Sequence, residues 1–286
     1  YLSPQWLAML RHTIAEADRL DMIVDLPPGS GWRMGGPFIT DAAAAAQLVI
    51  ERDDSGRPTV RCEVTDEKVK RAGPGGRGRA FNPFSRAGIQ AVIDYFTASL
   101  AGLSIRAQFH DSWEYQSNAS PELFETFVQR CGYDLRDHAE ALADPDPAND
   151  EHARVRYDLH HTLDRMAMEN FIEPWVAWCH ELGQLSRNQA HGTPGNLVDF
   201  YAAADIPETE LFRDPTPDTV LRSKFASSGS HLAKRRLVSS ETGTWMNENF
   251  CGTLAQMRRC VDILFVAGIN HHVYHGTAYS PQDAHW

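Results

Sequence analysis

Apolar positions along this chain switch repeatedly between two periods. Trp6, Leu7, Met9, Leu10, Ile14 and Ala17 recur at helical spacing, which predicts an amphipathic helix near 4–20. The short apolar run Met22-Ile23-Val24, closed by Asp25 and Pro27-Pro28-Gly29, reads as a buried strand ending in a turn. Ala42 to Ala46 predicts a short helix, and the alternation over 47–64 around Asp54-Ser55-Gly56 predicts an inserted β-hairpin. Val69-Lys70-Arg71 reads as a further short strand. A helix follows over 85–101 with Ser85 as its cap, then a strand over Ser104–Phe109 and a helix starting at Pro121. After the polar break at 144–149, a long helix is expected over 151–181, interrupted at Pro174. The pattern then gives strand 183–190, helix 195–203, strand 204–207, helix 218–234, strand 237–239, helix 250–266 and strand 269–274.

Strands alternating with helices imply parallel strands joined by crossover helices. The fold class expected is therefore α/β. Seven strands are counted and the first element is a helix, which fits a (β/α)8 TIM-type barrel lacking its first strand. The length of 286 residues is close to the roughly 250 typical of such a barrel. A doubly wound open sheet is the rival. It normally carries a glycine-rich phosphate turn, and Gly29-Ser-Gly31 lacks the third glycine of that motif.

Composition narrows the classes. Lys and Arg total 27 against 38 Asp and Glu, a formal net charge of −11, which disfavours a nucleic-acid or anionic-membrane partner. No run of about 18 apolar residues suggests a transmembrane helix. The five cysteines (Cys62, Cys131, Cys179, Cys251, Cys260) form no CxxC pair and read as buried free thiols. The chain opens at Tyr1 without a leader and stops at Trp286, which predicts a piece of a longer protein.

In a barrel the active site lies at the carboxyl ends of the strands, so residues just past each predicted strand are the candidates. They are Asp25; Lys70 and Arg71; Asp111 and Glu114; Asn188 and His191; Glu208 and Glu210; Glu241; then Asn270, His272 and His275. Acidic groups from four strands would converge, which is costly unless a proton, a cation or a substrate offsets the repulsion. Such a cluster suits glycosidic cleavage or a hard-cation site. Trp32, Trp113, Tyr115, Trp245, Tyr274 and Tyr279 lie beside these acids, and each fits sugar stacking or core packing.

The segments Asp111-Ser-Trp-Glu114, Arg187-Asn-Gln-Ala-His-Gly192, Ala204-Asp-Ile-Pro-Glu-Thr-Glu210, Ser239-Ser-Glu-Thr-Gly243 and Asn270-His-His-Val-Tyr-His-Gly-Thr-Ala-Tyr-Ser280 resemble glycoside hydrolase family 106, the α-L-rhamnosidases. Leu26-Pro-Pro-Gly-Ser-Gly-Trp32 through Gly35-Gly-Pro37 fits as well. The resemblance implies a barrel that removes terminal α-L-rhamnose with inversion, assisted by calcium. It implies a rhamnose-containing glycan as substrate, accessory domains elsewhere in the same chain, and a periplasmic or secreted location. By motif it makes Glu114 the general acid and Glu241 the general base. It leaves Glu208 open between a third catalytic carboxylate and, with Glu210, a calcium ligand. Asp111, Trp113, Asn188, His191, Glu210, Trp245, His272, Tyr274 and His275 are the implied substrate contacts.

Other chemistries fit less well. His271 and His275 share one face of their strand and His272 the other, so three histidines from this strand do not make a zinc site. Ser227-Ser-Gly-Ser230 is not a nucleophile elbow, and the basic glycine-rich stretch 68–79 lacks the Gly-Lys-Ser/Thr of a P-loop. A carbohydrate-binding protein without catalysis remains the alternative, and the presence of Glu114, Glu208, Glu210 and Glu241 speaks against it.

Overall fold

The structure is a computed structural model that describes residues 1–144, 146, 148–212, 215–244 and 252–276. The chain divides into two compact units. One comprises residues 1–186 and 192–196, the other 187–191 and 197–286.

The first unit opens with helix α1 (Pro4–Arg19), where the Ser3 side chain accepts from the Trp6 amide and Pro4 occupies the first turn. Strand β1 (Asp25–Leu26) follows, then β2 (Gly35–Gly36), the hairpin β3 (Ala46–Arg52) and β4 (Pro58–Val64), and β5 (Arg79–Ala80). The hairpin pairs antiparallel across a turn in which Asp53 accepts from the amides of Ser55 and Arg57. Helix α2 (Arg86–Leu100) leads to β6 (Ala107–His110). Ile89, Val92, Phe96 and Leu100 line the buried face of α2 at helical spacing, and none has exposed surface. Ser85 stands at the N-cap position, but its hydroxyl donates to Glu122 Oε1 at 2.9 Å instead of capping the helix.

Helices α3 (Leu123–Cys131) and α4 (Ala139–Ala143) precede a long helical run. It begins as α5 (Asp150–Ala167), passes through a π-turn at Met168–Ile172 and continues as α6 (Glu173–Glu181). Pro174 explains the interruption. It has no amide to donate, and its ring excludes the carbonyl four residues back. The Glu173 amide reaches five residues back to Met168 instead. Phe81, Phe84, Phe127, Phe171, Trp175 and Trp178 fill the core of this unit.

Strand β7 (Leu185–Gln189) straddles the division. Leu185, in the first unit, donates its amide to the Arg106 carbonyl, and Arg187–Gln189, in the second, pair with β8. Helix α7 (Leu197–Ala203), strand β8 (Ile206–Phe212), helix α8 (Pro217–Leu232), strand β9 (Ser239–Thr244), helix α9 (Leu254–Val266) and strand β10 (His271–Tyr274) complete the second unit. β7 through β10 are parallel neighbours in sequence order, with Gln189 beside Glu208, Glu210 beside Glu241 and Glu241 beside Val273. Thr253 and Gln256 cap α9 reciprocally.

The expected (β/α)8 barrel is corrected. The parallel strands form one open sheet of six, in the order β1-β6-β7-β8-β9-β10. One of the seven predicted strands, Val69-Lys70-Arg71, supplies only isolated antiparallel bridging, in which Lys70 pairs with Trp32. Its apolar content is a single valine, too little to hold a buried parallel strand. The first strand is also displaced. Met22 and Ile23 are 58% and 64% exposed, and sheet pairing with the Arg106 amide begins only at the Val24 carbonyl. No helix among the described residues is long and apolar enough to cross a membrane.

Candidate active site

Side chains alternate faces along a strand. Arg187, Gln189 and His191 therefore share one side of β7 and its end, Glu208 and Glu210 one side of β8, and Ser239 and Glu241 one side of β9. On that side the second unit gathers its carboxylates. Glu208 has no exposed surface. Its Oε2 accepts from Ser239 Oγ at 2.5 Å and lies 2.9 Å from Arg187 Nε, while Gln189 Nε2 donates to its Oε1 at 3.0 Å. The same Gln189 nitrogen donates to Glu241 Oε2 at 2.8 Å. Thr244 Oγ1 donates to the other oxygen of Glu241 at 2.8 Å, and His275 Nε2 stands 3.8 Å from it. Beside this pair His191 Nε2 is 3.0 Å from Glu210 Oε2. Tyr201, buried, hydrogen-bonds with Thr209 and with the His191 backbone.

Burial pushes the Glu208 carboxyl above the ordinary carboxylate range. Arg187 and the donors Ser239 and Gln189 pull the other way, and the neighbouring charge of Glu241 adds to the rise. The two glutamates are thus close enough for the charge of one to bear on the other, and Glu208 is the more enclosed. Glu241 is the member with access, its side chain retaining 14% exposure.

Three expected substrate residues lie on the opposite face. Asn188 is buried and donates to the Phe200 carbonyl of α7 at 3.4 Å. His272 packs edge-on against Phe265 of α9 at 4.8 Å and meets Thr242 Oγ1 at 3.3 Å. Burial, and then His271, hold its imidazole below the ordinary range. Tyr274 stacks beside His272 on the same side. Trp245, and the end of the last motif from Thr277 onward, lie outside the described residues.

Asp111, Trp113 and Glu114 belong to the first unit. Glu114 is 42% exposed and pairs with Lys70 Nζ at 3.0 Å, and that ammonium also sits over the Trp32 ring at 4.6 Å. Trp113 is 7% exposed, packed edge-on against Tyr115 and Phe84. It is core, and Gly192 abuts its carbonyl so closely that a Cβ there would stand 2.5 Å from the oxygen. Asp111 accepts from the Ser112 amide at 2.7 Å and lines a cleft of about 330 Å³ with Trp32, Arg33, Arg71, His110 and Tyr115. Arg33 forms a buried ion pair with Glu67, and His110 meets the Tyr115 hydroxyl at 3.2 Å.

The expected calcium ligands Glu208 and Glu210 are each engaged by other side chains. Calcium takes six to eight oxygens. Both Glu208 oxygens are already engaged by Gln189, Ser239 and Arg187, and Glu210 faces His191. Among the described residues no group of three or more His, Cys, Asp or Glu side chains converges to hold a metal.

Glu208, Glu210 and Glu241 sit inside β8 and β9, not past their ends as the sequence suggested. Both strands run further than their apolar cores because polar residues within them are buried. The same fact explains which residues the sequence reading missed. Arg187, Gln189 and Ser239 are polar members of strands, with buried strand polarity their only signal, and Thr244 closes β9.

A parallel α/β sheet carrying paired, coupled glutamates has the equipment of an acid–base hydrolase. Residues 83–286 match the family model of glycoside hydrolase family 106, described as alpha-L-rhamnosidase, and the chain belongs to that family. Among solved structures it is similar to a rhamnosidase from Novosphingobium sp. PP1Y, with a TM-score of 0.66 and 22% identity. The match covers 79% of this chain and 23% of that one, so this chain spans less than a quarter of that protein, and at this identity the likeness speaks for the fold. None of the curated proteins matches the chain.

Proposed function

We propose that this chain carries out the hydrolysis of terminal α-L-rhamnosides, with Glu241 as the carboxylate that activates water. The observation that carries this reading is the pairing of Glu208 and Glu241 through one amide, within a chain of the α-L-rhamnosidase family. Of the two, only Glu241 has surface through which to meet a sugar. Glu208, enclosed and braced by Arg187, acts from behind it. Family motif alone supports Glu114 as the proton donor to the leaving oxygen.

An inverting reaction needs roughly 6.5–9.5 Å between its acid and base, room for one water. The acceptor oxygens of Glu208 and Glu241 stand no farther apart than the sum of their 3.0 and 2.8 Å bonds to Gln189, which falls short of that range. That closeness favours a supporting role for Glu208 over the role of acid in such a pair. The cleft lined by Trp32, Arg33, Arg71 and Asp111 offers polar and charged groups of the kind that bind a saccharide.

The test is a panel of aryl glycosides offered to the full-length protein, with proton NMR of the first-formed sugar. Turnover of the α-L-rhamnoside with release of the β-anomer is expected. Preference for another sugar overturns the substrate assignment, and initial release of the α-anomer overturns inversion.

A further inference from the structure

Gln189 has no exposed surface, yet it is among the best-connected side chains of the carboxylate pair. Both oxygens it serves belong to carboxylates, Glu208 at 3.0 Å and Glu241 at 2.8 Å, and one nitrogen serves both. Its own Oε1 is buried without a hydrogen-bond partner among the described residues. An unsatisfied buried acceptor costs about 1–3 kcal/mol, so the arrangement is not what packing alone selects. It follows from the carboxylates. Turning the amide over would aim Oε1 at two negatively charged oxygens, and the amide is confined to one orientation.

Each neighbour fixes a different end of this bridge. Arg187 and Ser239 hold Glu208 from behind, and Glu208 is fully enclosed. Thr244 holds one oxygen of Glu241, leaving the other to Gln189. The Glu241 carboxylate is thereby tied to a rigid buried anchor through a single side chain.

We propose that Gln189 is a positioning residue, whose bridging amide sets the orientation of the Glu241 carboxylate against the fixed Glu208. This rests on Glu241 being the acting carboxylate. The tie offsets repulsion between two like charges and leaves Glu241 only small rotations. Misplacement of a reacting group by about 1 Å costs roughly 10²-fold in rate. Gln189→Met keeps the length of the side chain and removes both donated bonds. Gln189→Asn keeps the amide but shortens it by one methylene, so it reaches one carboxylate at a time.

A double-mutant cycle in the full-length protein tests the proposal on an aryl α-L-rhamnoside. Gln189→Met is expected to lower kcat by roughly 10²-fold with KM nearly unchanged, and to cause no further loss in a Glu241→Gln background. Gln189→Asn is expected to fall between wild type and Gln189→Met with the same non-additivity, and it serves if the methionine variant does not fold. Loss of kcat that adds fully to that of Glu241→Gln, or a change confined to KM, overturns the proposal. A crystal structure of either variant gives a readout independent of turnover. The Glu241 carboxylate is expected to rotate off the position it holds against Thr244, and an unmoved Glu241 overturns the proposal even in a protein that hydrolyses no rhamnoside. Failure of wild type to turn over rhamnosides, with Glu241 displaced in the variants, would instead remove the proposed substrate and leave the positioning role standing.

Discussion

Glu208 shows how one side chain sets the chemistry around it. An ionised carboxylate without exposed surface is costly, and one ion pair and two donors offset that cost: the Arg187 guanidinium, then the Ser239 hydroxyl and the Gln189 amide. Arg187→Met removes the charged one. The expected loss of unfolding free energy is about 3 kcal/mol at neutral pH, because the carboxylate is left buried and short of a partner. The pH dependence has a definite sign. A carboxyl whose affinity for protons is raised by folding stabilises the fold below the ordinary carboxylate range, and that contribution is lost as pH rises. The deficit of the variant should therefore shrink as pH falls, since a proton then replaces the guanidinium. Urea unfolding of both proteins across the acid range measures this, and a deficit independent of pH would remove the ion pair from the account.

Elements differ in how far the sequence specified them. The apolar spacing of Ile89, Val92, Phe96 and Leu100 placed α2 within a residue of its observed bounds, because a helix with one buried face writes its period plainly. Phe96→Ala should accordingly cost about 3–5 kcal/mol in chemical denaturation. A loss below about 1 kcal/mol would mean that the face is not core. The strands were less legible. β8 and β9 bury Glu208, Thr209, Ser239, Ser240 and Thr242, so apolar runs ended before the strands did. Met22 and Ile23 misled in the other direction, apolar in composition but exposed. The site was legible as a set of glutamates and not as a network. Motif resemblance pointed to Glu208 and Glu241, while Gln189, which joins them, lay unremarked in the Arg187–Gly192 motif. The two-residue period of β7 separates it from Asn188, which serves α7 instead.

At the scale of the molecule, the surplus of acids first argued only against nucleic acid as a partner. Two of those acids now form a pair, one buried and one with access, on an open six-stranded parallel sheet. A fold of this kind hosts many activities, and the activity is argued from the carboxylates and from membership of the α-L-rhamnosidase family. The central claim is that Glu241 acts on the substrate. Its most direct test is the turnover of an aryl α-L-rhamnoside by Glu241→Gln in the full-length protein, alongside a thermal unfolding scan. The account predicts a fall in kcat of about 10²–10⁴-fold with an unfolding midpoint close to wild type. Turnover within a few-fold of wild type would contradict it.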